Sequence, residues 1–264
     1  MSLFILLLIA LAINTIGFGF AYGYNSDKLT DLGYGVTFFV LALVAYLFSP
    51  QHEYKATKLL ALWMVTVWAV RLSVFLFTRI LKAGRDKRFD EVRDDYIKFG
   101  QFWLFQAISV WIILLPVMFF MKNPSLPLIA HNYLGLVIWA VGLIIETIAD
   151  WQKYKFNSAK ANKGRFINSG LWAYSRHPNY FGEILVWLGM YIFVASMLLP
   201  SQKLIGVLSP LYIAYILIFA TGIPKLEEYA DQKWGKQKDY QAYKKQTSIL
   251  VILPPKKKCA KSQP

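Results

Sequence analysis

Apolar runs of membrane-crossing length alternate with short polar stretches along nearly the whole chain. Crossing the hydrocarbon core takes ~20 apolar residues, and seven segments meet or approach that length: Leu3 to Tyr22, Gly33 to Phe48, Leu59 to Leu81, Phe102 to Met121, Tyr133 to Trp151, Asn179 to Leu199, and Leu204 to Ile223. Within lipid a single segment must satisfy its own backbone groups, which only a helix does. The predicted fold is therefore all-α, a polytopic membrane protein of about seven transmembrane helices. No repeat and no low-complexity linker interrupts it, so one membrane-embedded domain is expected over 1–264: N-terminal helices in 1–101, a C-terminal portion in 102–253, and a basic tail in 254–264. The stretch KFGQFWLFQ before the fourth span reads as an aromatic interfacial loop, and Pro116 and Pro124 as residues that kink or end their segment. Gly17, Gly19 and Gly23 fit close helix packing rather than a nucleotide-binding fingerprint, and Asn14 an interhelical hydrogen bond.

Composition supports this pattern. The chain is 56% hydrophobic and 17% aromatic, too apolar for a soluble domain of 264 residues. Its net charge of +14 would suggest nucleic acid in a soluble protein; here it points to membrane lipids, with no nucleic-acid partner. Lys and Arg concentrate in three places: seven in 79–101, six in 152–178 and ten from Pro224 onward. The positive-inside rule then predicts the N-terminus outside and the C-terminus in the cytoplasm. The N-terminal segment lacks a basic region and a cleavage site, and reads as a retained helix. Cys259 stands alone, and His52, His131 and His177 lie in separate segments outside any zinc motif, so no metal site is expected.

The chemistry concentrates in GLWAYSRHPNYFGE, Gly170 to Glu183. Pro178 suits the first position of a helix, which makes His177 its N-cap. The side chains of Ser175, Arg176 and His177 then join the free first-turn amides in what outlines an anion site. Asn179 and Glu183 are four residues apart in an otherwise apolar segment, where polar side chains are costly and usually functional. In the fifth segment Glu146 and Asp150 share a helix face, followed by Lys153, Lys155 and Arg165. Arg71 lies within the third span and Arg79 at its end. Asp31, before the second span, reads on its own as a solvated cap that could face a cavity.

The Gly170–Glu183 string resembles the C-terminal signature of the steroid 5-alpha-reductase-like membrane proteins, especially their bacterial-type branch, whose wording is close to LWxxSRHPNYFGE. Relatives include steroid 5-alpha reductases and sterol C14 reductases. The isoprenylcysteine carboxyl methyltransferases share an RHPxYxG core. The resemblance extends back to the arginine-bearing third span and the Asp86, Arg88, Phe89 step, and forward to the Leu226–Glu227 pair and the aromatic tail with Tyr240 and Tyr243. It implies an NADPH-dependent reductase that saturates an activated C=C bond of a steroid or other lipid entering from the bilayer. NADPH would be held by Arg79, Arg88, Glu146, Asp150, Arg165, Trp172, Ser175, Arg176, His177, Asn179, Tyr180 and Glu183, within the portion 102–253 and the end of the third helix. The catalytic candidates are Asp31, in place of the steroid enzymes' glutamate, and Tyr174; Trp68 occupies the position of their tyrosine, which departs from 3-oxo-steroid specificity. The alternatives are an S-adenosylmethionine-dependent methyltransferase and a noncatalytic sterol-binding membrane protein. The expected location is a bacterial inner membrane or the endoplasmic reticulum.

Overall fold

The computed structural model describes residues 1–26, 28–50, 55–83, 92–124 and 126–256, with the side chains of 82 and 83 excepted. The described residues are nearly all helical and contain no sheet. The helices are α1 (Leu3–Gly23), α2 (Thr30–Leu47), α3 (Lys55–Ala83), α4 (Tyr96–Lys122), α5 (Ala130–Ser158), α6 (Pro178–Ala195), α7 (Pro200–Gly206), α8 (Leu208–Tyr215), α9 (Ile223–Trp234) and α10 (Lys238–Gln246). Among these residues six stretches are long and apolar enough to cross a membrane: α1 to α5 and the run Pro200–Trp234. The expected sixth span is not among them. Helix α6 has only 18 residues, and Asn179 and Glu183 occupy its first two turns. The last span is not one helix but α7, α8 and a π-helical turn at Ile216–Ala220.

The chain packs as two compact units, residues 1–136 with 190–210, and residues 137–189 with 211–264. In the first, α1, α2 and α4 meet around a polar core. Asn14 Nδ2 donates to Thr37 Oγ1 (3.1 Å) and Gln106 Nε2 donates to Asn14 Oδ1 (2.8 Å). Lipid offers helices little hydrophobic reason to associate, so such hydrogen bonds and close packing carry the contact. The packing comes from Trp103, whose indole edge fills the space at Gly17; a methyl group there would lie 2.5 Å from the ring. Gly19 and Gly23 have open space instead. Trp103 also closes a cluster with Ala21 and Phe99, against which Phe18 and Phe102 pack.

That cluster corrects the reading of KFGQFWLFQ as a loop. Asp95 accepts hydrogen bonds from the amides of Ile97 (3.0 Å) and Lys98 (3.1 Å), capping α4 well before Phe102. Aromatic density marked burial of Phe99 and Trp103 in a helix, not an irregular interfacial segment. Pro116 lies inside the same helix, while Pro124 falls just beyond its end. Lys58 is buried in this unit and donates to Met121 O (3.1 Å), satisfying a carbonyl left over at the end of α4.

In the second unit, α5 and α6 cross at two glycines. A methyl on Gly142 would lie 2.7 Å from Gly182 O, and one on Gly182 would lie 2.6 Å from Glu146 N. Only glycine permits that approach. The crossing brings the first turns of α6 against the stretch of α5 that carries Glu146 and Asp150.

Candidate functional site

The loop from α5 to α6 is pinned at both ends. Gly170 adopts φ +61° against the side chain of Gln152, whose Oε1 accepts from Leu171 N (2.9 Å). Trp172 is buried and donates through Nε1 to Ala149 O (2.9 Å), inserting the loop beside the Glu146–Asp150 face of α5. Lys153 Nζ covers its ring at 4.5 Å. From the other side the C-terminal segment straps the loop down. Tyr243 OH donates to Trp172 O (2.7 Å), Ser175 Oγ to Leu250 O (2.6 Å), Arg176 N to Ser248 O (2.8 Å) and Trp234 Nε1 to Gly164 O (2.6 Å). Burial raises the Tyr243 phenol above its ordinary range, so this donor keeps its proton. Tyr240, pushed up to about 12 by burial and the carboxylates of Glu227 and Asp231, likewise donates to Asp231 Oδ1 (3.3 Å).

Glu227, on α9, is the hub of the charged centre. Its carboxylate receives His177 Nε2 at 2.9 Å, Arg176 Nη1 at 3.1 Å and Lys244 Nζ at 3.5 Å. Lys244 also grips Asp231 at 2.6 Å. His177 is buried, and that burial lowers its pKa below the usual value against the opposing pull of Glu227. Tyr180 stacks on the imidazole, with ring centroids 5.7 Å apart and planes 12° apart. The α6 entry follows the expected form: His177 O accepts the first helical bond from Phe181 N, and Pro178 opens the helix.

The predicted residues separate into three groups. Glu146 and Asp150 (both buried), Trp172, Ser175, Arg176, His177, Asn179, Tyr180 and Glu183 all lie in the second unit, around the α5–α6 crossing and the loop strapped to it. In that unit Tyr174 and Arg165 are exposed. Ser175 differs in role from the anion-site outline, since its hydroxyl proton goes to Leu250 O while it accepts from His177 N (3.1 Å). Asp31 and Arg79 belong to the first unit, where they form an ion pair at 3.8 Å. Trp68 is fully buried there, edge-on to Phe38 and, at 6.4 Å, to Tyr34, an α2 phenol three residues after Asp31 that sequence reading passed over. Arg88 lies outside the described residues. Lys244 and Asp231 were also missed; the only signal for them was the polar face of an amphipathic tail. Among the described residues no group of three His, Cys, Asp or Glu could hold a metal ion.

Fold and charged centre together define a multi-pass helical membrane protein with a buried polar cluster in its C-terminal unit. Residues 17–247 match a family described as protein of unknown function (DUF1295), and the chain belongs to that family. It is 22% identical over 207 residues to an uncharacterized protein of Schizosaccharomyces pombe, covering 68% of this chain and 59% of that protein. A shorter match, 39% identical over 54 residues, is to a probable O-methyltransferase of Ustilaginoidea virens, covering 20% of this chain and 19% of that protein. The chain thus spans about three fifths of the first relative and about a fifth of the second. No solved structure matches.

Proposed function

We propose that the protein is an NADPH-dependent membrane reductase that saturates an activated C=C bond of a steroid or other lipid, with its charged centre opening on the cytoplasmic side. The observation that carries this reading is the charge pattern around the buried carboxylates. The stretch 152–178, the end of α5 and the connection to α6, holds six Lys and Arg and no acidic residue, and 224–256 holds seven against four. These segments are strapped together beside Glu146 and Asp150. NADPH asks for this combination: cations for a pyrophosphate and a 2′-phosphate, and carboxylates for ribose hydroxyls and a carboxamide. Arg176 Nε and His177 Nδ1, buried and without a hydrogen-bond partner among the described residues, support a ligand here. S-adenosylmethionine, a sulfonium without phosphate, has less use for so many cations.

When bound, NADPH would supply the hydride. The chain's own part is to hold and orient it. Lys153 and Arg176 offer charge, Glu146 and Asp150 accept from hydroxyl or amide groups, and Trp172 and Tyr180 supply ring surfaces. Tyr174, in the same unit, is the candidate for proton delivery to the reduced bond; Asp31 belongs to the first unit, where Arg79 pairs with it.

The methyltransferase reading keeps one specific support, the 54-residue match to a probable O-methyltransferase. Titrating NADPH, NADH and S-adenosylmethionine into detergent-purified protein and following thermal unfolding separates the two, because a ligand of the folded state raises the midpoint. Stabilisation by NADPH that is lost in Asp150→Ala and Arg176→Ala is the expected result. Stabilisation by S-adenosylmethionine alone would overturn it.

A further inference from the structure

The ring proton of His177 has only one place to go. Nε2 lies 2.9 Å from Glu227 Oε1, and Glu227 faces Arg176 and Lys244 as well. A carboxylate between two cations only accepts hydrogen bonds, so Nε2 carries the hydrogen and donates it. Burial disfavours a second proton on the imidazole. Nδ1 therefore presents a bare lone pair, and it is buried with no partner among the described residues.

Among the described residues, the neighbouring polar groups are engaged elsewhere. Ser175 Oγ spends its proton on Leu250 O and accepts from the His177 amide. Tyr180 covers the ring face, not its edge. Arg176 directs Nη1 to Glu227. Lys244 is engaged by Glu227 and Asp231, and Lys153 by the Trp172 ring.

We propose that His177 takes a hydrogen-bond donor of a bound small molecule, a hydroxyl or an amide N–H, at Nδ1, and that Glu227 is the positioning residue that sets the tautomer for it. The proposal rests on the cofactor-site reading only for the ligand's identity. It reverses the expected place of His177 in a phosphate cradle: a phosphate oxygen brings lone pairs to a lone pair. On an NADPH-like ligand the matching groups are ribose hydroxyls and the carboxamide, and phosphates fall to Arg176 and the lysines.

Nitrogen NMR of the full chain labelled with 15N-histidine tests both halves. His177 is assigned by its loss in His177→Asn. At about pH 8 the expected spectrum has Nε2 protonated and Nδ1 bare. Glu227→Gln, whose amide can donate to Nε2, should move population toward the Nδ1–H form, a signature that mere loss of packing would not produce. Adding NADPH should shift the Nδ1 resonance toward its hydrogen-bonded position without changing the tautomer. Asparagine places an amide oxygen near the Nδ1 position and glutamine near Nε2, so His177→Asn should keep affinity within about threefold while His177→Gln loses about tenfold or more, some 1.4 kcal/mol. A protonated Nδ1 in the free protein overturns the proposal, as does an unmoved Nδ1 under a ligand that raises the unfolding midpoint. If NADPH gives no stabilisation, the reductase reading fails and S-adenosylmethionine, which also carries ribose hydroxyls, becomes the ligand for the same shift test; stabilisation by neither overturns the ligand half of the proposal.

Discussion

Gly182 of α6 sits so close to Glu146 of α5 that a methyl group on it would lie 2.6 Å from the Glu146 backbone nitrogen and 2.8 Å from its Cβ. The glycine of the NYFGE string is thus what lets the helix behind His177 approach the carboxylate-bearing face of α5. Gly182→Ala should push the helices apart or strain both, costing about 1–3 kcal/mol. The expected outcome is a lower unfolding midpoint together with weaker ligand stabilisation. A Gly19→Ala control, where nothing lies within 4 Å, should leave both unchanged.

Stability should depend on pH through His177. Its folded pKa lies below the ordinary value because of burial, whereas the unfolded imidazole titrates near ~6.5. Below that value the unfolded chain takes up a proton the folded chain refuses, so stability falls as pH drops through the ordinary histidine range and is fully restored above it. Unfolding midpoints should be lower at about pH 5.5 than at about pH 7.5. His177→Gln, which keeps a polar contact to Glu227 but does not titrate, should reduce the difference. Equal slopes in both proteins would mean that His177 is not the titrating group.

The spans were legible because lipid forces each crossing into a long apolar run: α1, α3, α4 and α5 each enclose the segment expected of them, and α2 all of its segment but Phe48. What failed were places where burial inside the protein mimicked another environment. KFGQFWLFQ resembled an interfacial belt because Phe99 and Trp103 are aromatic, yet they are buried in helix packing. Helix α6, whose Ile184 to Val194 are mostly apolar, is not among the six long apolar stretches because Asn179 and Glu183 occupy its first two turns. The motif residues from Gly170 to Glu183 were visible because charge is rare in such a chain. Their partners were not, since His177 and Glu227 are 50 residues apart in sequence. Nothing in an amphipathic tail distinguishes Lys244 and Asp231, which pair with each other beside Glu227, from the lysines and acids around them.

The strap can be loosened one bond at a time. Tyr243→Phe removes the 2.7 Å hydrogen bond to Trp172 O and leaves that carbonyl without its tyrosine partner. The expected cost is about 1 kcal/mol, with faster proteolysis within 235–256 as the local readout. Trp234→Phe, which removes the solvent-exposed 2.6 Å bond from half-buried Trp234 to Gly164 O, should cost less. If Trp234→Phe proves the more damaging change, the strap is anchored by α9 rather than by α10.

The polar core of α1, α2 and α4 offers a test in which the double variant says more than either single one. Asn14→Leu strands Gln106 Nε2 inside the helix bundle, and Gln106→Leu strands Asn14 Oδ1. Each leaves a buried polar group unsatisfied, at about 1–3 kcal/mol. The pair Asn14→Leu with Gln106→Leu removes both ends of the bond, leaving Thr37, whose hydroxyl still donates to Gly33 O at 2.7 Å. The combined loss should therefore be smaller than the sum of the two single losses, by a coupling of about 0.5–2 kcal/mol read from unfolding in detergent. Strict additivity would show that the three helices are held by the fit of Trp103 against Gly17, with the hydrogen bonds contributing little.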